Sequence, residues 1–333
     1  MKNIINPYNN IDWNNIEHKL IATHKHMEEQ EYVENYHSRG GDIFTGFDYN
    51  LNLYPLEESY PDLDQEIIDD FVEIPNAEHR IGWWTHYTCP GSLFTDGEEK
   101  TLWGDSRKKL FENMRDNPLY ENLVTIIMAH HTRREEEDEP ADLEKLIDYA
   151  ETLYDVENVG RGIEIYNASS DSEDRQGEWS LEFWDNVLSQ GMYFTGHTVP
   201  DHRAKYGSWE GHEFVLVENE SPSQKEILEN LKNGKLYCSF KNSDLKFTKI
   251  EENNKIINIE LNDVADKIKF IADSETKKIV ENDNNAEYKS INDVYVRVEV
   301  YKDDEIIFTQ PIMFRTKKMI DFTKEKKKKL LLI

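Results

Sequence analysis

Between Lys19 and Gly234 short apolar runs alternate with segments of helical period, and beyond Ser239 the helical period disappears. The clearest run is Leu123-Val124-Thr125-Ile126-Ile127-Met128-Ala129, which reads as a buried strand and ends at His130-His131. The segment 141–154 places Leu143, Leu146, Ile147, Ala150 and Leu153 at helical spacing, with acids and a lysine opposite. Further strands are read at 19–23, 42–46, 71–74, 83–87, 162–167 and 192–195. Helices are read at 28–38, 181–188 and 223–233, the last stopped by Gly234. A short helix is read over 12–18, and the acidic, Pro-punctuated stretch 51–70 reads as a long surface excursion. Strands alternating with helices indicate an α/β fold with a parallel sheet or barrel.

The texture after 239 is different. Val294, Val296, Val298 and Val300 alternate with Tyr295, Arg297, Glu299 and Tyr301, a period of two. Other strands are read at 256–261, 267–272 and 306–308, with turns at 282–285 and 302–305. This reads as a small all-β sandwich. The expected division is 1–238 for the α/β part, 239–316 for the sandwich and 317–333 for a basic tail. The tail's lysine run and its closing Leu-Leu-Leu-Ile are too short to span a membrane and read as a frayed terminus.

At 333 residues the length prior is about two domains. The formal net charge of -28 repels phosphate backbones and anionic bilayers, so nucleic acid and membranes are unlikely main partners. Cys89 and Cys238 permit one disulfide but no disulfide framework and no Cys-x-x-Cys zinc motif. The first residues carry no apolar h-region and no window reaches a span of ~18 apolar residues. The expectation is a cytoplasmic protein of open oligomeric state.

Leu20-Ile21-Ala22-Thr23-His24-Lys25-His26 is an apolar run ending in His-x-His. On a strand, residues i and i+2 point the same way, so both imidazoles leave one face at the strand's end, where α/β folds place ligands. A series of polar groups follows at other strand ends: Asp48, Glu78, His86, His130, Asp201 and His202. Each has a plain explanation alone. His86, beside Trp83, Trp84 and Tyr87, reads equally as a packed core histidine. Jointly, imidazoles mixed with carboxylates suit zinc, manganese or iron, and clustered ions suit hydrolysis.

The order of these residues resembles the PHP superfamily, the polymerase and histidinol phosphatase-type metallohydrolases. His24 and His26 match its opening His-x-His. Ile74-Pro75-Asn76-Ala77-Glu78 resembles its Pro-Gly-x-Glu segment, and His86 lies where a metal histidine follows. Ile127-Met128-Ala129-His130-His131 resembles its Ala-His-Pro segment. Gly162-Ile163-Glu164-Ile165-Tyr166-Asn167 resembles its Glu-x-Tyr-Asn strand. Pro200-Asp201-His202 resembles its closing Asp-x-His with the aspartate shifted by one, a change for which His197 could compensate. The segments 227–237 and 295–312 resemble the branch of CehA/McbA-type carbaryl hydrolases, which carries an appended β-sandwich. One departure stands out: the family's Thr-Asp-His reads Thr45-Gly46-Phe47, with Asp48 as a substitute.

The resemblance implies a distorted (β/α)7 barrel followed by a β-sandwich. It implies one to three divalent ions, Zn, Mn or Fe, with fewer than three favoured. The ligand candidates are His24, His26, Asp48, Glu78, His86, His130, Asp201 and His202. Glu78 would bridge two ions, a metal-activated water would be the nucleophile, and His131, Arg133 or Arg203 would orient an anionic group. The implied activity is hydrolysis of a small-molecule phosphoester or related ester, with phosphoesters favoured over carboxylic or carbamate esters. The alternative is a degenerate member of the fold with weak or no catalysis, acting as a binding module. A third reading centres on the sandwich as a carbohydrate or surface binder through Tyr288 and Tyr295.

Overall fold

A computed structural model describes residues 4–49, 51–81, 85–95, 107–130, 142–168, 178–201, 210–241 and 244–321. Three short parallel strands open it: Glu17–Ile21, Ile43–Phe44 and Val72–Glu73. A second, six-stranded sheet begins with the hairpin Glu78–Ile81 and Thr85–Thr88. The buried run follows as the strand Val124–Ala129, then Val159–Asn167 and Thr195–Val199, all three parallel to one another. The helices Arg107–Asp116, Leu143–Tyr154 and Leu181–Ser189 bury Leu110, Phe111, Leu146, Leu153, Phe183 and Trp184 in one core with Ile126, Met128 and Ile163. Each such side chain contributes about 1.5–3 kcal/mol by leaving water.

The barrel expectation is corrected on one side of the molecule. The strand Gly211–Val217 runs antiparallel to both Glu17–Ile21 and Leu236–Phe240. Its side chains alternate between two cores. Val215 and Val217 face the helical core, joined by Ile21, Leu236 and Cys238. Phe214 and Leu216 face a second core with Leu20, Tyr237, Phe247, Ile257, Ile259 and Phe270. This wall therefore has β-structure on its outer face where a (β/α) barrel would carry helices. Leu236–Phe240 pairs onward with Glu305–Thr309, so one eleven-stranded path runs from the opening strands into the all-β part. The sheets are large and mixed, and no clear seven-stranded (β/α) barrel forms. Residue 238, read as a boundary, sits inside this shared wall.

The all-β part is antiparallel throughout. The strands read at 256–261 and 267–272 form one long strand, Ile256–Ala272, paired with Glu275–Lys289. The turn between them is Asp273-Ser274, both at positive φ. The Asn-rich 282–285 lies inside the second strand instead, where Asn282 takes a φ of 54° beside a break in register between Glu260 and Ala265. Asparagine tolerates the left-handed region, so it serves a bulge as readily as a turn. The segment read as a helix over 12–18 ends in the first strand, and 51–70 is not a bare excursion: Leu56, Tyr60 and Leu63 are buried in a small core with Tyr36 and Phe71.

Side-chain contacts also tie the halves together. Arg297 donates from Nε and Nη2 to Asp185 at 2.7 and 2.8 Å and from Nη1 to Glu299 at 2.7 Å, while Tyr295 donates to Asp185 at 2.7 Å. Gln310 brackets Gly196 of the strand Thr195–Val199, accepting from its N–H at 2.7 Å and donating to its carbonyl at 2.8 Å. Cys89 and Cys238 are both free and buried. Among the described residues no helix is long and apolar enough to cross a membrane.

Candidate metal centre

The first strand delivers Thr23 to a buried anchor. Glu213 accepts from Thr23 Oγ1 at 2.9 Å and from its N–H at 3.3 Å, and lies 2.6 Å from His197 Nδ1. His24 and His26 follow directly and are buried. Glu78 starts its strand with Tyr49 paired alongside, and His86 comes from the opposite arm of the same hairpin. His130 and Asp201 each sit one or two residues past the end of a parallel strand, at φ 29° and 30°. Neither is glycine. A conformation that costs of order 1 kcal/mol is held at both positions where the chain turns its side chain inward.

The imidazoles of His24, His26, His86 and His130 converge on Glu78, and Asp201 lies beside the first two. His26 Nε2 lies 3.1 Å and His24 Nε2 3.7 Å from Glu78 Oε2. Asp201 Oδ1 is 2.7 Å from His24 Nε2 and 3.5 Å from His26 Nε2. On the other carboxylate oxygen, Glu78 Oε1 contacts His86 Nδ1 and lies 3.3 Å from His130 Nε2. His24, His26 and Glu78 are close enough to share an ion, as are His24, His130 and Asp201, and Glu78, His86 and His130. Donor atoms bound to one ion at about 2.1 Å stand roughly 3–3.5 Å apart, a spacing met by His26 with Glu78 and Asp201 and by His130 with Glu78.

The polar atoms satisfy one another only in part, through the hydrogen bonds of His86 Nδ1 and His130 Nε2 to Glu78 Oε1. His24 Nε2, both nitrogens of His26, His86 Nε2, His130 Nδ1 and Glu78 Oε2 are buried and make no hydrogen bond among the described residues. Buried polar atoms of this kind cost free energy unless something completes them. A cation between nitrogen lone pairs and carboxylate oxygens does so, and the donor set fits a divalent ion of the zinc, manganese or iron type.

Electrostatics points the same way. Burial would raise Glu78, yet His86, His24 and His130 hold it well below the usual carboxylate range. Burial would raise Asp201 too, and His24 and His26 outweigh it. Burial pushes His26 down, but Asp201 and Glu78 push it up to about 9. His24 and His130 are raised for the same reason. His86 is lowered: burial leads, and His130 and Arg80 add to it against Glu78. The pocket thus demands positive charge, which protons supply when no metal ion does.

Glu164 sets the orientation around it. Its Oε1 lies 2.6 Å from His24 Nδ1 and its Oε2 accepts from the His130 N–H at 2.8 Å. A proton on His24 Nδ1 fixes the tautomer and leaves the Nε2 lone pair facing Asp201 and Glu78. Asn167 braces both carboxylates, donating to Glu164 at 2.7 Å and Asp201 at 2.9 Å.

The structure therefore brings together His24, His26, Glu78, His86, His130 and Asp201. Asp48 groups only with His26 and Glu28, on the far nitrogen of the His26 ring. His131, His202, Arg133 and Arg203 lie outside the described residues. His197 does not stand in as a ligand: the strand read at 192–195 runs Thr195–Val199, and both ring nitrogens are engaged, by Glu213 at 2.6 Å and Thr195 Oγ1 at 2.8 Å. Phe47 packs its ring against His24 and His26, with centroids 5.3 and 5.1 Å away. Tyr288 and Tyr295 form no joint platform. Tyr295 is buried and bonded to Asp185, while Tyr288 stacks on Phe270.

The sequence reading assigned no role to Glu164, Asn167, Glu213, Arg80 or Tyr49. Glu164 carried a signal, since a carboxylate flanked by Ile163 and Ile165 in a buried strand needs a partner.

No family model matches the chain, and no curated protein matches it. Among solved structures it is similar to a two-domain protein from Bacteroides vulgatus that contains a predicted PHP-like metal-dependent phosphoesterase. The TM-score is 0.47 at 12% identity, over 91% of this chain and 95% of that one. A likeness at that score assigns neither fold nor activity.

Proposed function

We propose that the chain is a divalent-metal-dependent hydrolase and that phosphoesters are its substrates. The observation that carries this reading is Glu78, whose two oxygens face two separate sets of buried imidazoles with unsatisfied nitrogens. His24, His26, Glu78 and Asp201 would hold one ion, and Glu78, His86 and His130 a second. With each imidazole serving one ion, two ions would use the six side chains and share only Glu78. Divalent ions there supply Lewis acidity, acidifying water and polarising an ester oxygen.

The chain's own residues do the rest. Glu164 and Asn167 hold His24, His130 and Asp201 in place before substrate arrives, so little reorganisation is needed. Glu213 anchors Thr23 and so fixes the start of the His24–His26 segment. His86 and Tyr49 stand next to each other beside Glu78, with ring centroids 6.4 Å apart. The test is a screen of metal-reconstituted protein against p-nitrophenyl phosphate, a phosphodiester and p-nitrophenyl acetate. Turnover of the phosphate substrates, lost in His26→Ala and Glu78→Ala, is the expected result. Turnover of the acetate alone would replace phosphoesters with carboxylic esters, and no turnover of any would sink the hydrolase.

A second reading is a metal-holding binding module without turnover. Phe47 favours it, because an apolar ring lies against both leading histidines where a further polar group would assist catalysis.

A further inference from the structure

We propose that Arg80, laid over the ring of Tyr49, is the anion-binding element of this site and selects ligands that carry a tetrahedral oxyanion such as phosphate. The inference rests on the hydrolase reading above and names the substrate chemistry of the same site.

Arg80 is two residues beyond Glu78 on one strand, so the two side chains leave the same face about 7 Å apart along the chain. Across the hairpin Arg80 pairs with His86. Its guanidinium carbon lies 3.5 Å from the centroid of Tyr49. Tyr49 in turn packs on His26, with centroids 4.5 Å apart, and approaches His86 at 6.4 Å. The cation therefore sits at the rim of the metal cluster, one strand step outside the bridging carboxylate.

Its lack of an acidic partner is the telling feature. The chain has 67 acidic residues, and Arg80 forms no ion pair among the described residues. Its Nε is buried and makes no hydrogen bond among the described residues. Compare Arg297, whose Nε and both Nη atoms all reach carboxylates. A guanidinium stacked on an aromatic face keeps its N–H edge free and its plane fixed. That edge matches two oxygens of a phosphoryl group, whose remaining oxygens would face the imidazoles and any cation they hold.

The test is isothermal titration of inorganic phosphate into manganese-loaded protein, with metal content measured on the same samples. Wild type, Arg80→Gln and Arg80→Lys are compared. The expected result is unchanged metal content, phosphate binding weakened about 10- to 100-fold in Arg80→Gln, and an intermediate loss in Arg80→Lys. Equal phosphate affinity in all three, at equal metal content, would overturn the proposal and leave Arg80 as a cover for Tyr49. Should the wild type take up no metal, the hydrolase reading fails separately, and the titration is read on the metal-free protein. Phosphate binding lost in Arg80→Gln would then still uphold the anion site, and no binding by wild type would overturn it.

Discussion

Glu78 and Arg297 are both buried charges in the interior of this chain, and their surroundings differ in one respect. Every donor of Arg297 has a carboxylate acceptor, and Tyr295 fills a further position on Asp185. Around Glu78, Oε1 is hydrogen-bonded by His86 and His130, while Oε2 has His26 Nε2 and His24 Nε2 at 3.1 and 3.7 Å with no hydrogen bond among the described residues. The first arrangement is complete and joins a helix of the α/β part to a strand of the all-β part. The second leaves buried polar atoms without hydrogen bonds among the described residues, which a cation would complete. A buried ionic cluster is thus structural or functional according to whether its polar atoms are satisfied, and burial alone does not distinguish them.

Variants can break this comparison. Glu78→Gln removes charge from both proposed ion positions. We expect metal stoichiometry to collapse and kcat/KM for the phosphoester to fall by about 10³-fold. Arg297→Met should do the reverse. It leaves Asp185 with only the Tyr295 hydroxyl among the described residues, and Glu299 with Tyr301 and a Lys269 ammonium 3.8 Å away, costing about 3–5 kcal/mol in a urea titration, with metal content unchanged. Replacing Arg297, Asp185 and Glu299 together with apolar residues should recover most of that loss. Glu164→Gln is subtler: it weakens the hold on His24 without removing a ligand, so metal affinity should drop about 10- to 100-fold by competition with a chelator dye.

The pH dependence sharpens the contrast. The folded pKa of His26 is raised from 6.5 to about 9 by Asp201 and Glu78. In the metal-free protein its proton therefore contributes stability in full below pH 6.5, and that contribution is lost as pH rises through about 9. The ceiling is about 3 kcal/mol. An ion competes with that proton, so metal affinity should climb over the same window. Arg297 stays charged throughout and adds no slope there. Denaturation at pH 6, 7.5 and 9, with and without chelator, reads both effects. The smallest expected change is in Asp48→Asn. Asp48 groups with the far side of His26 only, so the metal stoichiometry should stay as in wild type when measured by elemental analysis.

Much of this architecture was legible in the sequence. The buried strand Val124–Ala129, the helix Leu143–Tyr154 and the capped helix Gln224–Asn233 follow from apolar spacing and from Asp142, Ser223 and Gly234 at their ends. His24, His26, Glu78, His86 and His130 were legible as polar groups at the ends of apolar runs. The shared wall was not. A strand such as Gly211–Val217, buried on both faces, reads the same whether helices or strands cover it. The hairpin that carries Glu78 and His86 was hidden because its first arm, Glu-His-Arg-Ile, is too polar to read as a strand. Asp201 was obscured by register, since its positive φ redirects a side chain that an extended backbone would have aimed elsewhere. Arg80 gave no local signal at all, because its meaning depends on Tyr49, thirty-one residues earlier in the chain.

The central claim is that the cluster around Glu78 is completed by metal ions. Elemental analysis of untagged protein purified without chelator, then incubated with zinc, manganese or iron(II) and desalted, tests it directly. The account predicts about two ions per chain in wild type and fewer than one in Glu78→Gln. Wild-type protein that retains no metal under any of these conditions would contradict it.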